Sequence, residues 1–137
     1  MKGYRTAVDV QTRFRDTDAM GHVNNAVYLS YLEVARMEYV RQVFGITHFS
    51  DVDFILARAE VDYRSPSFAG ETLTVGVRVV RVGGASFDFL YRVQEKTSRR
   101  LVAEAKTVQV AYDYKAGKVK RLSEKFIKGV RKHDGFS

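Results

Sequence analysis

The chain has 137 residues, 45% hydrophobic and 28% charged, an ordinary balance for one domain with its own core. It contains no cysteine, which excludes disulfides, thiolate metal sites and a cysteine nucleophile. The net charge of +7 is concentrated in residues 115–137, which hold eight Lys or Arg against Glu124 and Asp134. Residues 1–114 come to only +1. Such a tail reads either as a landing site for a phosphate-bearing ligand, nucleic acid or acidic carrier, or as a solvated, partly frayed helix. No RNA-binding motif, zinc-finger spacing or recognition helix accompanies it, so no specific nucleic-acid partner is expected. The start, MKGYRTAVDV, lacks an apolar run of signal-peptide length, and no segment reads as a membrane span. The expectation is a single cytoplasmic domain over 1–137.

In chain order, residues 6–14 alternate, with Val8, Val10, Thr12 and Phe14 on one face, and read as a half-buried strand. Residues 15–24 have no period and contain Gly21, so they read as a loop. Residues 26–44 carry apolar side chains over most of a helix circumference, which implies a helix wrapped by other structure. Asn24 or Asn25 can cap its start and Gly45 can form its left-handed exit. Glu33 and Arg36 are spaced for an ion pair on that helix. Four strand-like runs follow, roughly 54–64, 72–82, 86–96 and 101–114. They are separated by Ser65-Pro66-Ser67 with Gly70, by Gly83-Gly84, and by Thr97-Ser98-Arg99-Arg100. Short turns imply antiparallel neighbours. Ser123 can cap a short helix reaching about Lys132. The expected fold is α+β: one long central helix wrapped by a curved antiparallel sheet of about five strands. Edges and an uncovered face on such a sheet favour a homo-oligomer, a dimer or a tetramer.

The chemistry gathers in Arg15 to Asn25, RDTDAMGHVNN, directly before the long helix. Backbone N–H groups at a helix start hold developing negative charge, and a nearby carboxylate makes acyl transfer plausible chemistry. Asp18 is the candidate catalytic acid and Asp16 the candidate structural one. Gly21 permits the turn between acid and helix. His22 and Asn24 are supporting candidates. Tyr28, with Tyr31 and Tyr39, reads chiefly as a core or interface aromatic and secondarily as a pocket wall. His48 and His133 have no metal-ligand spacing, and no metal site is expected.

Asp18-Ala19-Met20-Gly21, the helix that follows and the segment YRSPSFAGETLTV from Tyr63 to Val75 resemble the hotdog-fold acyl-CoA thioesterases. The similar group is the 4-hydroxybenzoyl-CoA thioesterase family with its YbgC-like branch, and the resemblance spans about residues 5–114. It implies an acyl-CoA (or acyl-carrier-protein) thioester substrate, hydrolysed to free acid and coenzyme A with no added cofactor. It places the catalytic carboxylate on Asp18, as nucleophile or general base, and an oxyanion-holding backbone N–H at about Asn25. The family prototype has a basic turn where this chain has Gly83-Gly84-Ala85, so its nucleotide contacts fall to other groups. Arg64 and Arg81 are candidates, alongside Arg99, Arg100 and the tail. Two other readings remain open: a hydratase or dehydratase of the same fold using His22 and Glu33, and a non-catalytic acyl-CoA-binding oligomer.

Overall fold

The computed structural model describes residues 1–136. Six strands and two helices follow in the order β1 (Thr6–Gln11), α1 (Val27–Phe44), β2 (Phe54–Tyr63), β3 (Thr72–Val82), β4 (Ser86–Glu95), β5 (Leu101–Asp113), β6 (Lys118–Val119) and α2 (Glu124–Asp134). The sheet order is β1-β3-β4-β5-β2, with the short β6 beside β5 and every pairing antiparallel. The expected five-strand antiparallel sheet with one long helix is present. The added pair β5–β6 turns at Gly117, where Asp113 Oδ1 accepts the N–H groups of Lys115 and Ala116 at 3.0 Å.

The core lies where α1 meets the sheet. Leu73, Val75, Val77 and Val79 of β3 and Phe87, Phe89, Tyr91 and Val93 of β4 are buried at every second position, the period of a sheet with one face on the core. From α1 they meet Tyr28, Tyr31, Leu32, Ala35, Tyr39 and Val40, spaced as one helix face. A polar thread runs through this core. Arg36 Nη1 donates to Tyr91 Oη at 3.2 Å, Tyr91 Oη and Thr107 Oγ1 share a bond of 2.6 Å, and Thr107 bonds Gln109. The sheet desolvates these groups, so each needs a partner inside.

Three sequence expectations change. β1 stops at Gln11 rather than running to Phe14. Thr12 turns the chain by donating to Phe68 O at 2.6 Å and Glu71 O at 2.8 Å, and Phe14 swings out to 86% exposure. α1 is not wrapped all round: Leu29 and Val34 stay 42% and 46% exposed, because the sheet of one chain covers one side of the helix only. Glu33 and Arg36 form no ion pair among the described residues. Arg36 turns inward to Tyr91 instead, while Glu33 stays exposed.

The basic tail is docked rather than frayed. Ser123 Oγ accepts the Phe126 N–H at 3.1 Å, the expected cap. Val130 is fully buried, and Phe126 stacks on Phe44 of α1 with centroids 5.2 Å apart. At the far end, Asp134 Oδ2 accepts the Tyr39 hydroxyl at 2.6 Å and the Val79 N–H at 2.8 Å. Val79 precedes a register shift in the β3–β4 ladder. The Asp134 carboxylate thus satisfies an N–H where β3 is irregular, and with burial it pushes the Tyr39 hydroxyl pKa up.

Candidate active site at the start of the long helix

Residues 17–23 fold into a small hairpin held by the pairing of Thr17 with Val23. Asp18 N–H donates to His22 O at 2.8 Å, and Gly21 N–H donates to Asp18 O at 3.1 Å. Gly21 has φ +81°, a conformation in which a Cβ is strained. Asp18 Oδ1 accepts the Met20 N–H at 2.8 Å and the His22 N–H at 3.3 Å, an Asx turn. One carboxylate oxygen therefore fixes the turn, and the other has no hydrogen-bond partner among the described residues.

Asp16 anchors this hairpin to α1. Its buried carboxylate accepts the Tyr31 hydroxyl at 2.8 Å and the Arg13 N–H at 3.0 Å, and its carbonyl accepts the Asn24 N–H at 2.8 Å. Burial and the adjacent Asp16 carboxylate push the Tyr31 hydroxyl pKa up, so it stays a proton donor. Neither asparagine caps α1, contrary to expectation: the cap position is Ala26, with no side-chain cap bond, because Asn24 spends its side chain on the turn before the helix. Asn24 Oδ1 accepts the Ala26 N–H and its carbonyl accepts the Val27 N–H, both at 2.9 Å. Between these bonds the Asn25 N–H has no partner among the described residues, while the Asn25 carbonyl accepts the Tyr63 hydroxyl at 2.7 Å.

Asp18, His22, Val23, Asn25, Tyr28, Tyr63, Arg64, Ser65 and Pro66 line one open cleft of about 390 Å³. The structure brings together Asp18, His22, Asn25, Tyr28 and Arg64 from the sequence candidates, with Gly21 and Asn24 shaping the backbone beneath. His22 packs edge-on to Phe68 with centroids 5.2 Å apart. Tyr28 Oη bonds Ser67 Oγ at 2.6 Å, and burial raises its pKa. Arg64 reaches Glu104 at 3.2 Å and Asp62 at 3.7 Å, which offsets part of its charge.

Arg81 is not part of this cleft within one chain. It pairs with Asp88 at 2.8 Å and donates to Ser86 at 2.8 Å, at the opposite end of β3. Glu33 lines a different cleft, with Arg36 and Leu56, so His22 and Glu33 do not form a joint acid–base pair. Tyr63, Ser65 and Pro66 also line the cleft, although their sequence pattern marks only a strand and a turn. Only their place in the Tyr63–Val75 segment hinted at more. Among the described residues, no group of three His, Asp or Glu side chains could hold a metal ion.

The arrangement sets a carboxylate oxygen and a free backbone N–H around one solvent-accessible space at a helix start. That is the equipment for acyl transfer: a base or nucleophile, and a fixed donor for a developing oxyanion. Residues 12–130 match the thioesterase-like superfamily. The chain belongs to that superfamily. This thioesterase is 32% identical to a 1,4-dihydroxy-2-naphthoyl-CoA hydrolase of Crocosphaera subtropica, over 74% of the chain and 78% of the relative. It is 29% identical to the acyl-CoA thioester hydrolase YbgC of Escherichia coli O6:H1, over 76% and 79%. Among solved structures, a thioesterase from Thermus thermophilus complexed with coenzyme A and Zn superposes with a TM-score of 0.91. That pair is 35% identical, covering 100% of this chain and 99% of that one. A Bacillus stearothermophilus protein, at 22% identity, superposes with a TM-score of 0.85 over 93% and 95% and shares the fold. The fold is the hotdog fold, and the thioesterase is an enzyme that hydrolyses thioesters.

Proposed function

We propose that this thioesterase hydrolyses acyl-CoA thioesters in the cleft beside Asp18, releasing a free acid and coenzyme A. The observation that carries the reading is the pairing of a free Asp18 carboxylate oxygen with an unpartnered Asn25 N–H in one cleft. The printed activities of its relatives and the coenzyme A in the Thermus neighbour support the substrate class. The thioester carbonyl rests on the start of α1, and its oxygen takes the Asn25 N–H as negative charge develops. The Asp18 oxygen attacks the carbonyl carbon as nucleophile, or takes a proton from an attacking water. In either route the thiolate leaves with the electron pair of the C–S bond; in the first, water then hydrolyses the Asp18 mixed anhydride, which frees the acid and regenerates the carboxylate. Coenzyme A enters and leaves as part of substrate and product, and the reaction requires no other cofactor. The coenzyme A pool makes the cytoplasm the compartment for this activity.

Asp18→Asn tests the reading, because it keeps an oxygen for the turn and removes the charge. It should lower kcat by about a hundredfold to ten-thousandfold with the thermal transition unchanged. A thiol-release assay over a panel of acyl-CoAs measures it. Turnover near wild type in Asp18→Asn, with the fold intact, rules the mechanism out.

The proposal includes a second copy of the chain. β2 is a ten-residue edge strand whose outward side pairs with nothing among the described residues, an arrangement proteins rarely leave open. Tyr63, which holds Asn25, sits on that strand, so assembly there borders the cleft.

A further inference from the structure

The basic tail builds a second cavity, remote from the Asp18 cleft. It has a volume of about 230 Å³ and lies between the end of α1, the sheet and α2. Its inner wall is apolar and largely aromatic. Phe126 of α2 packs on Phe44 with centroids 5.2 Å apart and on Phe87 at 4.6 Å, and Phe54 meets Phe87 edge-on at 5.2 Å. Val40, Ile46, Ala111 and Leu122 complete it. The rim is charged. Lys120, Arg121 and Lys125 stand against Asp51 and Asp53, and Lys120 spends its charge on Asp53 at 2.7 Å.

Arg121 and Lys125 have no carboxylate partner among the described residues. The backbone on either side of Arg121 is bonded to the sheet, and Lys125 lies in the first turn of α2. Lys120 N–H donates to Ala111 O at 3.0 Å, Leu122 N–H donates to Gly84 O at 2.9 Å, and Ser123 caps α2. Arg121 lies over the Gly83-Gly84 turn, where a Cβ on Gly84 would meet its Nη2 at 3.6 Å. The tail therefore contributes two cations without a carboxylate partner among the described residues, above a pocket that offers an apolar body only dispersion and desolvation.

We propose that this cavity is a binding site for a small amphiphilic monocarboxylate: a ring-sized apolar body among the four phenyl rings and a carboxylate on Arg121 and Lys125. An apolar cavity of about 150 Å³ holds a benzene ring, so this space takes a ring and a short link to the rim. The site is separate from catalysis. The cleft is lined by Tyr28 near the start of α1 and the cavity by Val40 and Phe44 near its end, at least about 18 Å apart along the helix axis at 1.5 Å per residue.

The test is calorimetric titration with phenylacetate and with its neutral isostere phenylacetamide, using the full chain. Wild type should bind phenylacetate at least about tenfold tighter than the amide, the difference a charge-assisted contact supplies. Arg121→Glu combined with Lys125→Glu alters only exposed side chains and should remove that preference. Ala111→Leu fills the cavity and should remove binding of both compounds. A carboxylate held in the Asp18 cleft would be indifferent to all three substitutions. Equal affinity for the two compounds, no detectable binding, or binding that survives the rim reversal in a folded variant overturns the proposal.

Discussion

At the residue scale, the two aspartates of Arg15-Asp16-Thr17-Asp18 sit in different surroundings. Asp16 is buried and bonds Tyr31 and the Arg13 N–H. Asp18 spends one oxygen on its own turn and presents the other to the cleft. The acid, the glycine turn and the helix start were legible in sequence as neighbours, and the structure sets Asp18 at the cleft beside them. Tyr63 was not legible. It comes from a strand 38 residues beyond Asn25, and its contact with the Asn25 carbonyl depends on how β2 passes the start of α1. No local pattern encodes a pairing of that kind. Tyr63→Phe isolates the hydroxyl. The ring packing on Tyr28, with centroids 5.4 Å apart, remains, while the Asn25 peptide loses its tether. We expect kcat to fall about tenfold, with stability lower by no more than about 1 kcal/mol. Steady-state kinetics and denaturant unfolding on the same preparation check both halves. An unchanged kcat would mean that the Asn25 backbone is held without Tyr63.

At the element scale, the strands and helices were read closely because each has a clean period and a clear stop. β3 spans the 72–82 of its sequence pattern, and α1 ends at Gly45 with φ +70°, as a left-handed exit requires. The misses came where a side chain overrode the period. Thr12 continued an alternating pattern, yet its hydroxyl found two carbonyls and ended β1. α1 has apolar residues around most of its circumference, yet the sheet covers one side and Leu29 and Val34 stay exposed. The β4–β5 turn has its own local device. Glu95 accepts the N–H groups of Thr97 and Ser98, both at 2.9 Å, and Arg99 takes φ +61° beside it. Those N–H bonds favour the charged carboxylate and hold its pKa down at about 2, against an ordinary 4.5. A folded pKa below the unfolded one stabilises the fold fully above about pH 4.5 and is lost as pH falls toward 2. Glu95→Gln keeps an acceptor oxygen and removes the titration. The stability gap between wild type and Glu95→Gln should be widest above about pH 5 and close toward about pH 2. Urea midpoints at intervals across that range read it, and a gap independent of pH would show that the turn does not depend on the charge.

At the scale of the whole molecule, one chain leaves apolar side chains and a strand edge open to solvent. Leu29 and Val34 on α1, Phe49 before β2 and Leu56 on β2 remain 42%, 46%, 67% and 45% exposed. Exposed apolar groups beside a long open strand edge support the proposed pairing with a second copy. The charge order along β2 suits a second copy. If two β2 strands pair antiparallel about Ala59, Arg58 of each copy lies opposite Glu60 of the other, the favourable cross-strand arrangement. A two-fold axis makes every such contact twice. Within one chain Arg58 and Glu60 already form an ion pair on the strand, so the same charges serve both alone and in assembly. Wild type should sediment as a dimer or a tetramer built from it. Arg58→Glu places like charges opposite one another at both symmetric positions and should shift the protein toward monomer at micromolar concentration. Adding Glu60→Arg restores the alternation and should restore assembly. Sedimentation velocity across a concentration series separates these states, and thiol release measured alongside shows whether Tyr63 and Asn25 keep their geometry when β2 loses its neighbour. A wild-type monomer at every concentration, or an Arg58→Glu variant that assembles as wild type does, removes β2 from the interface and leaves the apolar face of α1 to another partner.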